Sequence, residues 1–571
     1  MQPSKTADIL KKISSKSADN EFYTPLPENY GTGKTKYIVI TGSVMSGVGK
    51  GIFTSSLGNV LGWYGLKVSP IKFDGYLNYD AGTLNPFRHG EVFVLDDGTE
   101  CDLDLGSYER YLDKDLSKDN YMTAGKLFKT IIDKERAGLF LGRDVQFIPH
   151  VTGEIKKFVR ALAVLSDADI VMVEVGGTAG DLENSYFIEA MRELAYEEGK
   201  DNVCFVNVTY IMQPSSLGEQ KSKAAQLGIR TIMSLGIQPD LVVCRSDNLL
   251  AKSIKEKISV VANVPVSRVI SSVNVDTIYD IPLYLHEKNV DKAVLEILGI
   301  EPPKPPHEMQ KKWEELTKGM KKQKKEVTIG ITGKYTNVHD SYLSILKALE
   351  HCSSALKTKV SIKWIETTEI EEGKVSAKDA LKDVDGVIVP GGFGKRGAEG
   401  KIECVKYVRE NNIPYLGICF GFQMAVIEYA RTVCGIEGAN STEIEPECKN
   451  PVISILPEQK KLEGLGGNMR LGGQDVEVKE GTMAHKLYGN AMVRERFRHR
   501  YEVDPKYIEK LEKKGLVFSG KSPKYPIMQI LELEDHPYFI GVQFHPCFTS
   551  RPLRPHPLFY GLVEACLNSG Q

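Results

Sequence analysis

The residue whose sequence setting most clearly indicates chemistry is a cysteine with a glycine two positions before it and another two positions after it. Residues 417–421 read Gly-Ile-Cys-Phe-Gly, between a strand-like run at 413–416 and a helical run at 422–431. Strand, G-x-C-x-G and helix form the pattern of a nucleophile elbow, in which glycines permit a sharp turn that exposes one side chain at the end of a sheet. The pattern predicts that Cys419 is a nucleophile.

A cysteine nucleophile needs a general base, and the chain offers one far downstream. Phe544-His545-Pro546 follows another apolar run, so His545 would reach Cys419 only through folding. The alternative is a buried thiol and a core imidazole without a chemical role. The glycine bracketing and the strand-to-helix setting favour the catalytic pair.

A glycine-rich loop near the start of the chain predicts a phosphate site. The strand-like run 37–41 leads into Gly-Ser-Val-Met-Ser-Gly-Val-Gly-Lys-Gly at 42–51, which opens a helix. Glycines let backbone N–H groups converge on phosphate oxygens, the helix N-terminus adds positive potential, and Lys50 supplies a cation. The match to a Walker A loop is partial, because that motif has glycine at the position of Val44 and a hydroxyl residue at the position of Gly51.

Without a hydroxyl in the loop, other oxygens are needed to hold the Mg²⁺ that accompanies a nucleoside triphosphate. The predicted ligands are Asp104, in Asp-Leu-Asp-Leu-Gly, and Glu174, near the end of the apolar run 170–175. A buried carboxylate is costly unless it is paired or bound to metal. Two other roles remain open: an ion pair with a core lysine for Glu174 and a turn carboxylate for Asp104.

Composition limits the classes of protein. The chain has 571 residues, enough for more than one core, and its net charge of -2 gives no electrostatic reason to expect nucleic acid as a partner. Ten cysteines without a CxxC pair favour free thiols in a reducing compartment. The sequence contains no run of about 18 apolar residues and no apolar leader, so we expect a cytoplasmic enzyme without a membrane partner.

Composition also divides the chain into segments. Residues 1–35 are polar and rich in glycine and proline, which predicts a flexible extension. Residues 36–300 alternate strand-like and helical runs, as in a parallel α/β sheet. Prolines and a charged, helical stretch predict a linker at 301–325, and a second α/β alternation at 326–571 carries the elbow.

From about Tyr37 to Leu567 the chain resembles the CTP synthase family. The segments that carry the resemblance are 72–83, 89–94, 102–110, 174–183, 390–394, 416–423, 438–443, 498–503, 543–546 and 548–550. The resemblance implies an α/β fold in which a P-loop amidoligase domain with a parallel sheet is joined to a class I glutamine amidotransferase domain. It also implies that ATP phosphorylates the 4-oxygen of UTP and that ammonia from glutamine then displaces phosphate to give CTP. GTP as activator, CTP as feedback inhibitor, a homotetramer and filaments are further properties of the family.

The resemblance assigns roles in the synthase domain. The implied ATP-binding residues are Gly47, Val48, Gly49, Lys50, Gly51 and Lys72, of which Lys72 is catalytic. The implied UTP- and CTP-binding residues are Ser46, Asp181, Leu182, Glu183, Lys221, Ser222, Lys223, Gln226 and Lys257. Mg²⁺ is assigned to Asp104 and Glu174. The family's Lys-Thr-Lys-Pro-Thr-Gln reads Lys-Ser-Lys-Ala-Ala-Gln at 221–226, which keeps both cations and leaves the shape of the CTP feedback site open.

The resemblance also assigns the glutaminase residues. The implied set is Cys419 and His545 for catalysis, Gly391, Gly392 and Phe420 for the oxyanion hole, and Gln423, Glu443 and Arg500 for glutamine. The family's His-Pro-Glu is here His545-Pro546-Cys547, so Cys547 stands at the triad position of glutamate. A triad carboxylate orients the imidazole and stabilises its charged form, whereas a thiol accepts hydrogen bonds weakly. We therefore expect an impaired glutaminase, in which Cys547 either orients His545 or packs while another group does so.

Three functions follow from these observations. The first is a glutamine-dependent CTP synthase, which we expect. The second is an ammonia-dependent, regulatory or filament-forming synthase with an impaired glutaminase, which Cys547 favours and the intact elbow opposes. The third is a P-loop amidoligase for a small carboxylic acid, which the segments around Lys72 and Lys221 oppose.

Overall fold

A computed structural model describes residues 23–214, 218–334, 339–455 and 469–569. The chain divides into two compact units, the first comprising Met1–Thr83 and Ser107–Glu314 and the second Leu84–Gly106 and Glu315–Gln571. Residues 1–22, and with them most of the predicted extension, lie outside the described residues. Within the described ranges, no helix is both long and apolar enough to span a bilayer.

Strands run, in chain order, over β1 (Lys36–Gly42), β2 (Val68–Asp74), β3 (Phe93–Val94), β4 (Glu100–Cys101), β5 (Tyr121–Thr123), β6 (Ile170–Val175), β7 (Val203–Tyr210), β8 (Leu241–Ser246), β9 (Val269–Val273), β10 (Lys325–Gly333), β11 (Thr358–Glu366), β12 (Gly386–Val389), β13 (Tyr415–Ile418), β14 (Ala439–Ser441), β15 (Asn450–Ser454), β16 (Arg470–Val478), β17 (Met492–His499), β18 (Glu502–Val503), β19 (Val517–Lys521), β20 (Met528–Glu532) and β21 (Phe539–Val542). The α-helices are Lys50–Trp63, Pro86–His89, Leu103–Leu112, Ala124–Arg136, Thr152–Leu165, Ser185–Glu198, Lys223–Ser234, Lys252–Ala262, Ile281–Glu287, Val290–Ile297, His307–Lys321, Leu343–Leu356, Thr367–Glu371, Ala377–Ala380, Ala398–Glu410, Phe420–Thr432, Met483–Tyr488, Pro505–Glu512 and Pro557–Ser569.

The first unit is built on a parallel sheet with strand order β5-β2-β6-β1-β7-β8-β9. Every residue of β2 and β6 is buried, the pattern of strands covered on both faces. Helices such as Thr152–Leu165 and Ser185–Glu198 contribute apolar residues to the core on one face of the sheet. The predicted parallel α/β fold of this half is confirmed.

The described end of the predicted extension is anchored to the first unit. The Tyr23 hydroxyl donates to Glu154 at 2.5 Å, and its ring packs against Phe140 with centroids 5.6 Å apart. Tyr30 and Tyr37 share a hydrogen bond of 2.6 Å. These tyrosine contacts were not evident from the polar composition of the segment, which suggested flexibility throughout 1–35.

The second unit is built on a mixed sheet with strand order β11-β10-β12-β13-β21-β20-β19-β16-β17. The pairs from β11 to β21 are parallel, and the pairs from β21 to β17 are antiparallel. The helix Phe420–Thr432 is almost wholly buried and lies at the centre of the core. The elbow that precedes this helix is therefore held by rigid elements on both sides.

The stretch predicted as a charged linker contains a helix, His307–Lys321, and the next strand begins at Lys325. Within the first unit, Trp313 of this helix is buried, and its indole N–H donates to the Tyr279 carbonyl at 2.7 Å. The prediction of a helix in the connector is confirmed.

Candidate active sites

The elbow places Cys419 between a strand and a helix. β13 ends at Ile418, and the helix Phe420–Thr432 begins directly after the cysteine. Cys419 has φ 51° and ψ -98°, a backbone conformation that residues other than glycine rarely adopt. Its N–H donates to the Val542 carbonyl of β21 at 2.7 Å. The backbone of a nucleophile elbow is therefore present.

Both flanking glycines are required by close approach. A β-carbon at Gly421 would lie 2.0 Å from the Val389 carbonyl oxygen, and one at Gly417 would lie 2.3 Å from the Tyr415 hydroxyl. Such distances are well inside van der Waals contact, so a larger residue at either position would displace the turn.

His545 and Cys419 border the same small space. A β-carbon at Gly391 would lie 3.0 Å from Cε1 of His545 and 3.7 Å from Cβ of Cys419. The Cys419 thiol donates to the Arg498 carbonyl at 3.6 Å, and Gln543 Nε2 donates to the sulfur at 3.6 Å. Folding thus brings the predicted nucleophile and base together.

Cys547 is buried in the short turn Pro546–Phe548 that follows the histidine. The His545 ring stacks on Phe548, with centroids 5.0 Å apart and planes 6° apart. Its buried Nε2 has no hydrogen-bond partner within the part of the chain that the structure describes. A buried polar atom without a partner costs about 1–3 kcal/mol. An unpartnered imidazole nitrogen is what the loss of an orienting carboxylate predicts.

Burial keeps both reacting groups neutral in the resting site. It raises the pKa of Cys419 to about 12, with the charge of Glu443 adding to the shift. It lowers the pKa of His545 to about 3, with the charges of Arg498 and His499 adding. The pair is therefore a thiol and a neutral imidazole at neutral pH, so attack requires proton transfer from sulfur to the ring.

The predicted oxyanion donors belong to the ends of two elements. Phe420 is the first residue of the helix Phe420–Thr432, and N–H groups in the first turn of a helix are not used inside the helix. Gly391 and Gly392 follow β12 at the carboxyl edge of the sheet. A β-carbon at Gly392 would lie 3.8 Å from the Phe420 ring, so the two groups of donors are neighbours.

The predicted glutamine-binding residues also have defined partners. Gln423 Nε2 donates to the Tyr501 carbonyl at 3.0 Å, while its buried Oε1 has no partner among the described residues. Glu443 accepts the Gly394 N–H at 2.7 Å, and burial raises its pKa while nearby cations, Arg500 among them, oppose the shift. A free amide oxygen and a carboxylate suit the ammonium end of an amino acid.

The phosphate loop has a glycine-like backbone at a residue that is not glycine. Val44 has φ 77° at the position where a Walker A loop has glycine, and Gly49 has φ 98° at the start of the helix Lys50–Trp63. Lys50 Nζ donates to the Gly177 carbonyl at 2.6 Å. Val44 thus adopts the left-handed backbone that glycine usually supplies at this position of the motif.

Lys72 and Glu174 form a buried ion pair in the first unit. They lie opposite each other in the register of β2 and β6, with Nζ and Oε1 3.1 Å apart. Thr54 and Tyr108 also donate to this carboxylate, at 3.2 and 2.5 Å. This is the ion pair with a core lysine that remained an alternative for Glu174.

Asp104 lies in the helix Leu103–Leu112 and is half-buried, and its N–H donates to Asp102 at 3.0 Å. Over the described ranges, no group of three or more potential metal ligands occurs. Mg²⁺ is commonly held by one or two carboxylates together with waters and substrate phosphates. Asp104, in the second unit, and Glu174, in the first, each carry the carboxylate oxygens that Mg²⁺ bound with a nucleotide prefers.

A cavity of about 730 Å³ gathers a subset of the predicted pyrimidine-nucleotide residues. They are Lys221, Ser222, Lys223, Gln226 and Lys257. Three lysines in one cavity suit a polyphosphate, and two glutamates also line it, of which Glu219 pairs with Lys221.

The lining of this cavity does not include Ser46 or residues 181–183. The Asp181 carboxylate accepts the N–H of Thr178 at 2.6 Å and its hydroxyl at 2.8 Å, which holds a turn. Leu182 is 85% exposed. Ser46 and residues 181–183 therefore lie outside the lysine cavity. They are at the protein surface, near the edge of the sheet from which the phosphate loop extends.

Two residues without an assigned role lie at these sites. A β-carbon at Gly49 would lie 2.8 Å from Arg245 Nη1, so the guanidinium reaches the phosphate loop. Gln543 contacts the Cys419 sulfur. The position of Gln543, two residues before His545, could have indicated its contact with the nucleophile. The position of Arg245 beside the phosphate loop follows only from the strand order of the sheet, which the sequence does not show.

Family models match both halves of the chain. The model described as CTP synthase N-terminus matches residues 36–300, and the model described as Glutamine amidotransferase class-I matches residues 337–565. A synthase domain with a phosphate loop, joined to a class I glutaminase domain, defines the class of glutamine-dependent ligases in which one chain carries both domains.

Proteins that are similar to this chain over nearly their whole length identify its family within this class of ligases. The chain is 51% identical to the CTP synthase of Pyrococcus furiosus and 52% identical to that of Thermococcus gammatolerans, over 93% of this chain and 98% of each relative. The glutaminase domain of Trypanosoma brucei CTPS, solved with bound acivicin, is 37% identical with a TM-score of 0.40, covering 42% of this chain and 94% of that one. The chain belongs to the CTP synthase family.

Family membership confirms the predicted resemblance, fold class and enzyme class. The alternative of a synthase with an impaired glutaminase is not supported, since relatives named CTP synthase match over both domains. The carboxylic-acid ligase has no support either.

Proposed function

We propose that this chain converts UTP to CTP in an ATP-dependent reaction that takes ammonia from glutamine. The observation that carries the proposal is the near full-length match to CTP synthases. It is supported by a cysteine elbow beside His545 in one unit and a phosphate loop beside a buried Lys72–Glu174 pair in the other.

In the synthase half, ATP binds at the loop 47–51, and Lys50 and Lys72 hold its phosphates. The γ-phosphoryl group of ATP is transferred to the 4-oxygen of UTP, and ATP becomes ADP. Ammonia then adds at C4 of the uracil ring, and phosphate departs. Phosphoryl transfer depends on neutralised charge, which buried cations supply. Mg²⁺, held by Asp104 and Glu174, would neutralise phosphate charge.

The lysine cavity takes the triphosphate of a pyrimidine nucleotide, UTP as substrate or CTP as inhibitor. Lys221, Lys223 and Lys257 supply the cations, and Gln226 is held by the Ser222 hydroxyl at 2.9 Å. Ser46 and residues 181–183 contribute to the same nucleotide from outside this cavity.

In the glutaminase half, the Cys419 thiol attacks the glutamine amide and His545 takes its proton. The N–H groups of Phe420 and of Gly391 or Gly392 stabilise the oxyanion, and Gln423, Glu443 and Arg500 hold the amino-acid end. Ammonia leaves, and water hydrolyses the thioester to glutamate. Cys547, at the position of the triad carboxylate, gives His545 weak support at most.

Further properties complete the proposal. GTP activates the glutaminase, CTP feeds back on the lysine cavity, and the chain assembles as a homotetramer that can form filaments. We place the reaction in the cytoplasm, which agrees with ten cysteines that are all free.

The test compares nitrogen donors. CTP formation from UTP, ATP and Mg²⁺ is measured with glutamine and with ammonium chloride, for the wild type and for Cys419→Ala. We expect Cys419→Ala to lose the glutamine-dependent rate and keep the ammonia-dependent rate, while Cys434→Ala, a cysteine just beyond the same helix, keeps both. A wild type that makes CTP from neither donor would refute the proposal.

A further inference from the structure

Lys401 is a buried lysine beside the oxyanion loop, defined here as residues 390–394. It extends from the helix Ala398–Glu410, is 5% exposed, and donates from Nζ to the Pro390 carbonyl at 3.1 Å. The same nitrogen lies 5.3 Å from the centroid of the Phe420 ring. A lysine buried in this way loses much hydration, and the reaction steps above give it no role.

The bond to Pro390 fixes a neighbouring donor. The Pro390 carbonyl and the Gly391 N–H belong to one planar peptide, and in a trans peptide they point in opposite directions. A group that holds the carbonyl oxygen on one side therefore sets the direction of the N–H on the other. Gly391 borders the reacting pair, since a β-carbon there would lie 3.0 Å from the His545 ring.

The far end of the oxyanion loop is built in the same way. Lys334 Nζ donates to the Phe393 carbonyl, and the Gly394 N–H donates to Glu443 at 2.7 Å. The Phe393–Gly394 peptide is thus held by a lysine at its oxygen and by a carboxylate at its nitrogen. At the Pro390–Gly391 peptide a lysine again holds the oxygen, and the N–H on the opposite side is the one an oxyanion would use.

Resting on the proposed glutaminase, we propose that Lys401 is a positioning residue that locks the Pro390–Gly391 peptide so that the Gly391 N–H faces the oxygen of the tetrahedral intermediate. Its contact with Phe420 supports the residue that carries the other predicted donor. Burial lowers the pKa of Lys401 to about 7. An amine and an ammonium both keep N–H donors, so the peptide is held in either protonation state.

Substitutions at Lys401 test the donor. Lys401→Met keeps the long apolar stem and removes the donor, Lys401→Arg keeps a donor, and Lys406→Met, half-buried on the same helix, is the matched control. We expect Lys401→Met to lower the glutamine-dependent kcat about 10- to 100-fold, less than the loss of about 10²–10³ when a whole oxyanion donor is removed. The KM for glutamine and the ammonia-dependent rate should stay within about twofold of the wild type. Lys401→Arg and Lys406→Met should keep most of kcat.

An aldehyde analogue of glutamine gives a readout of the oxyanion hole itself. The thiol of Cys419 adds across the aldehyde, so that an S–C bond forms and the thiol proton passes by way of His545 to the former carbonyl oxygen. This oxygen occupies the place of the oxyanion, so Lys401→Met should weaken inhibition by the same factor as kcat. A merely structural role would not produce that match while leaving KM unchanged.

The outcomes separate the two proposals. The role of Lys401 is refuted if Lys401→Met keeps both kcat and aldehyde inhibition within about twofold of the wild type. If Lys401→Met unfolds and loses the ammonia-dependent rate, the Lys401→Arg variant provides the test. A folded Lys401→Arg that has lost its glutamine-dependent rate refutes the role of Lys401, and one that keeps this rate supports it. A wild type without a glutamine-dependent rate refutes the proposed function instead.

Discussion

Cys547→Glu should raise the glutamine-dependent rate, because Nε2 of His545 has no hydrogen-bond partner among the described residues and a carboxylate there would stabilise the charge that the ring acquires. Burial lowers the pKa of His545 from 6.5 to about 3. At about 1.4 kcal/mol per pH unit, the charged ring is disfavoured by about 5 kcal/mol. A net contribution of about 1.5–3 kcal/mol is typical of a hydrogen bond to a charged group, which corresponds to about 10- to 150-fold in rate. We expect the lower part of this range, because a cysteine nucleophile depends less on its orienting group than a serine does.

The assay measures CTP formation with saturating glutamine and, separately, with ammonium chloride. Glutamate is larger than cysteine, and overpacking a buried position typically costs about 1–3 kcal/mol of stability. Cys547→Gln is the matched control, since it adds the same volume without the charge. The ratio of the glutamate to the glutamine variant isolates the carboxylate, and the ammonia-dependent rate should be equal in both. Equal glutaminase rates in the two variants, or a glutamate variant slower than the wild type, would show that the site is organised around the thiol.

Four further predictions concern both half-reactions. Lys72→Met should lower UTP-dependent ATP hydrolysis by about 10³ or more, because the transferring group loses a buried cation, and retention of most activity with ammonia would contradict its role. Glu174→Gln should lose the same activity, and partial rescue by raised Mg²⁺ would indicate a metal ligand, whereas no rescue would indicate only the ion pair. Gly421→Ala should abolish glutamine-dependent and spare ammonia-dependent synthesis, since its β-carbon would meet the Val389 carbonyl at 2.0 Å; an active glutaminase in this variant would contradict the elbow geometry. The pKa of Cys419 is raised to about 12, so its alkylation by iodoacetamide, followed on its own peptide by mass spectrometry, should rise about tenfold per pH unit from pH 7 to 9, and a plateau near neutrality would reveal a thiolate.

Local patterns in the sequence were sufficient for the elements that carry a strong signal. The apolar run 170–175 is a strand with the predicted bounds, and the glycines at 417 and 421 surround a cysteine with the backbone of an elbow. An ion pair of Glu174 with a core lysine could be raised only as an alternative, and its partner, Lys72, could not be named, because the pairing depends on the register of two strands far apart in sequence.

Other features could not be predicted, since they arise from tertiary packing. Lys401 lies on a helix of mixed polarity, and its burial follows from the packing of that helix against the oxyanion loop. The antiparallel part of the second sheet, from β21 to β17, depends on the pairing of β16 with β19, two strands that are not consecutive in the sequence. Tyr23 anchors a segment whose polar composition suggested flexibility.

The segment 84–106 has a practical consequence for dissecting this enzyme into fragments. It belongs to the glutaminase unit although it lies within the synthase half of the sequence. Glu100 of this segment pairs with Arg498 at 2.7 Å, and the Arg498 carbonyl accepts the Cys419 thiol. A fragment that begins at the linker would lack this carboxylate beside the nucleophile. The chain passes from one unit to the other at 83–84, 106–107 and 314–315. Proteolysis at 301–306 would therefore leave residues 84–106 on one fragment and the rest of their unit on the other, so that the glutaminase unit would be held together only by noncovalent contacts.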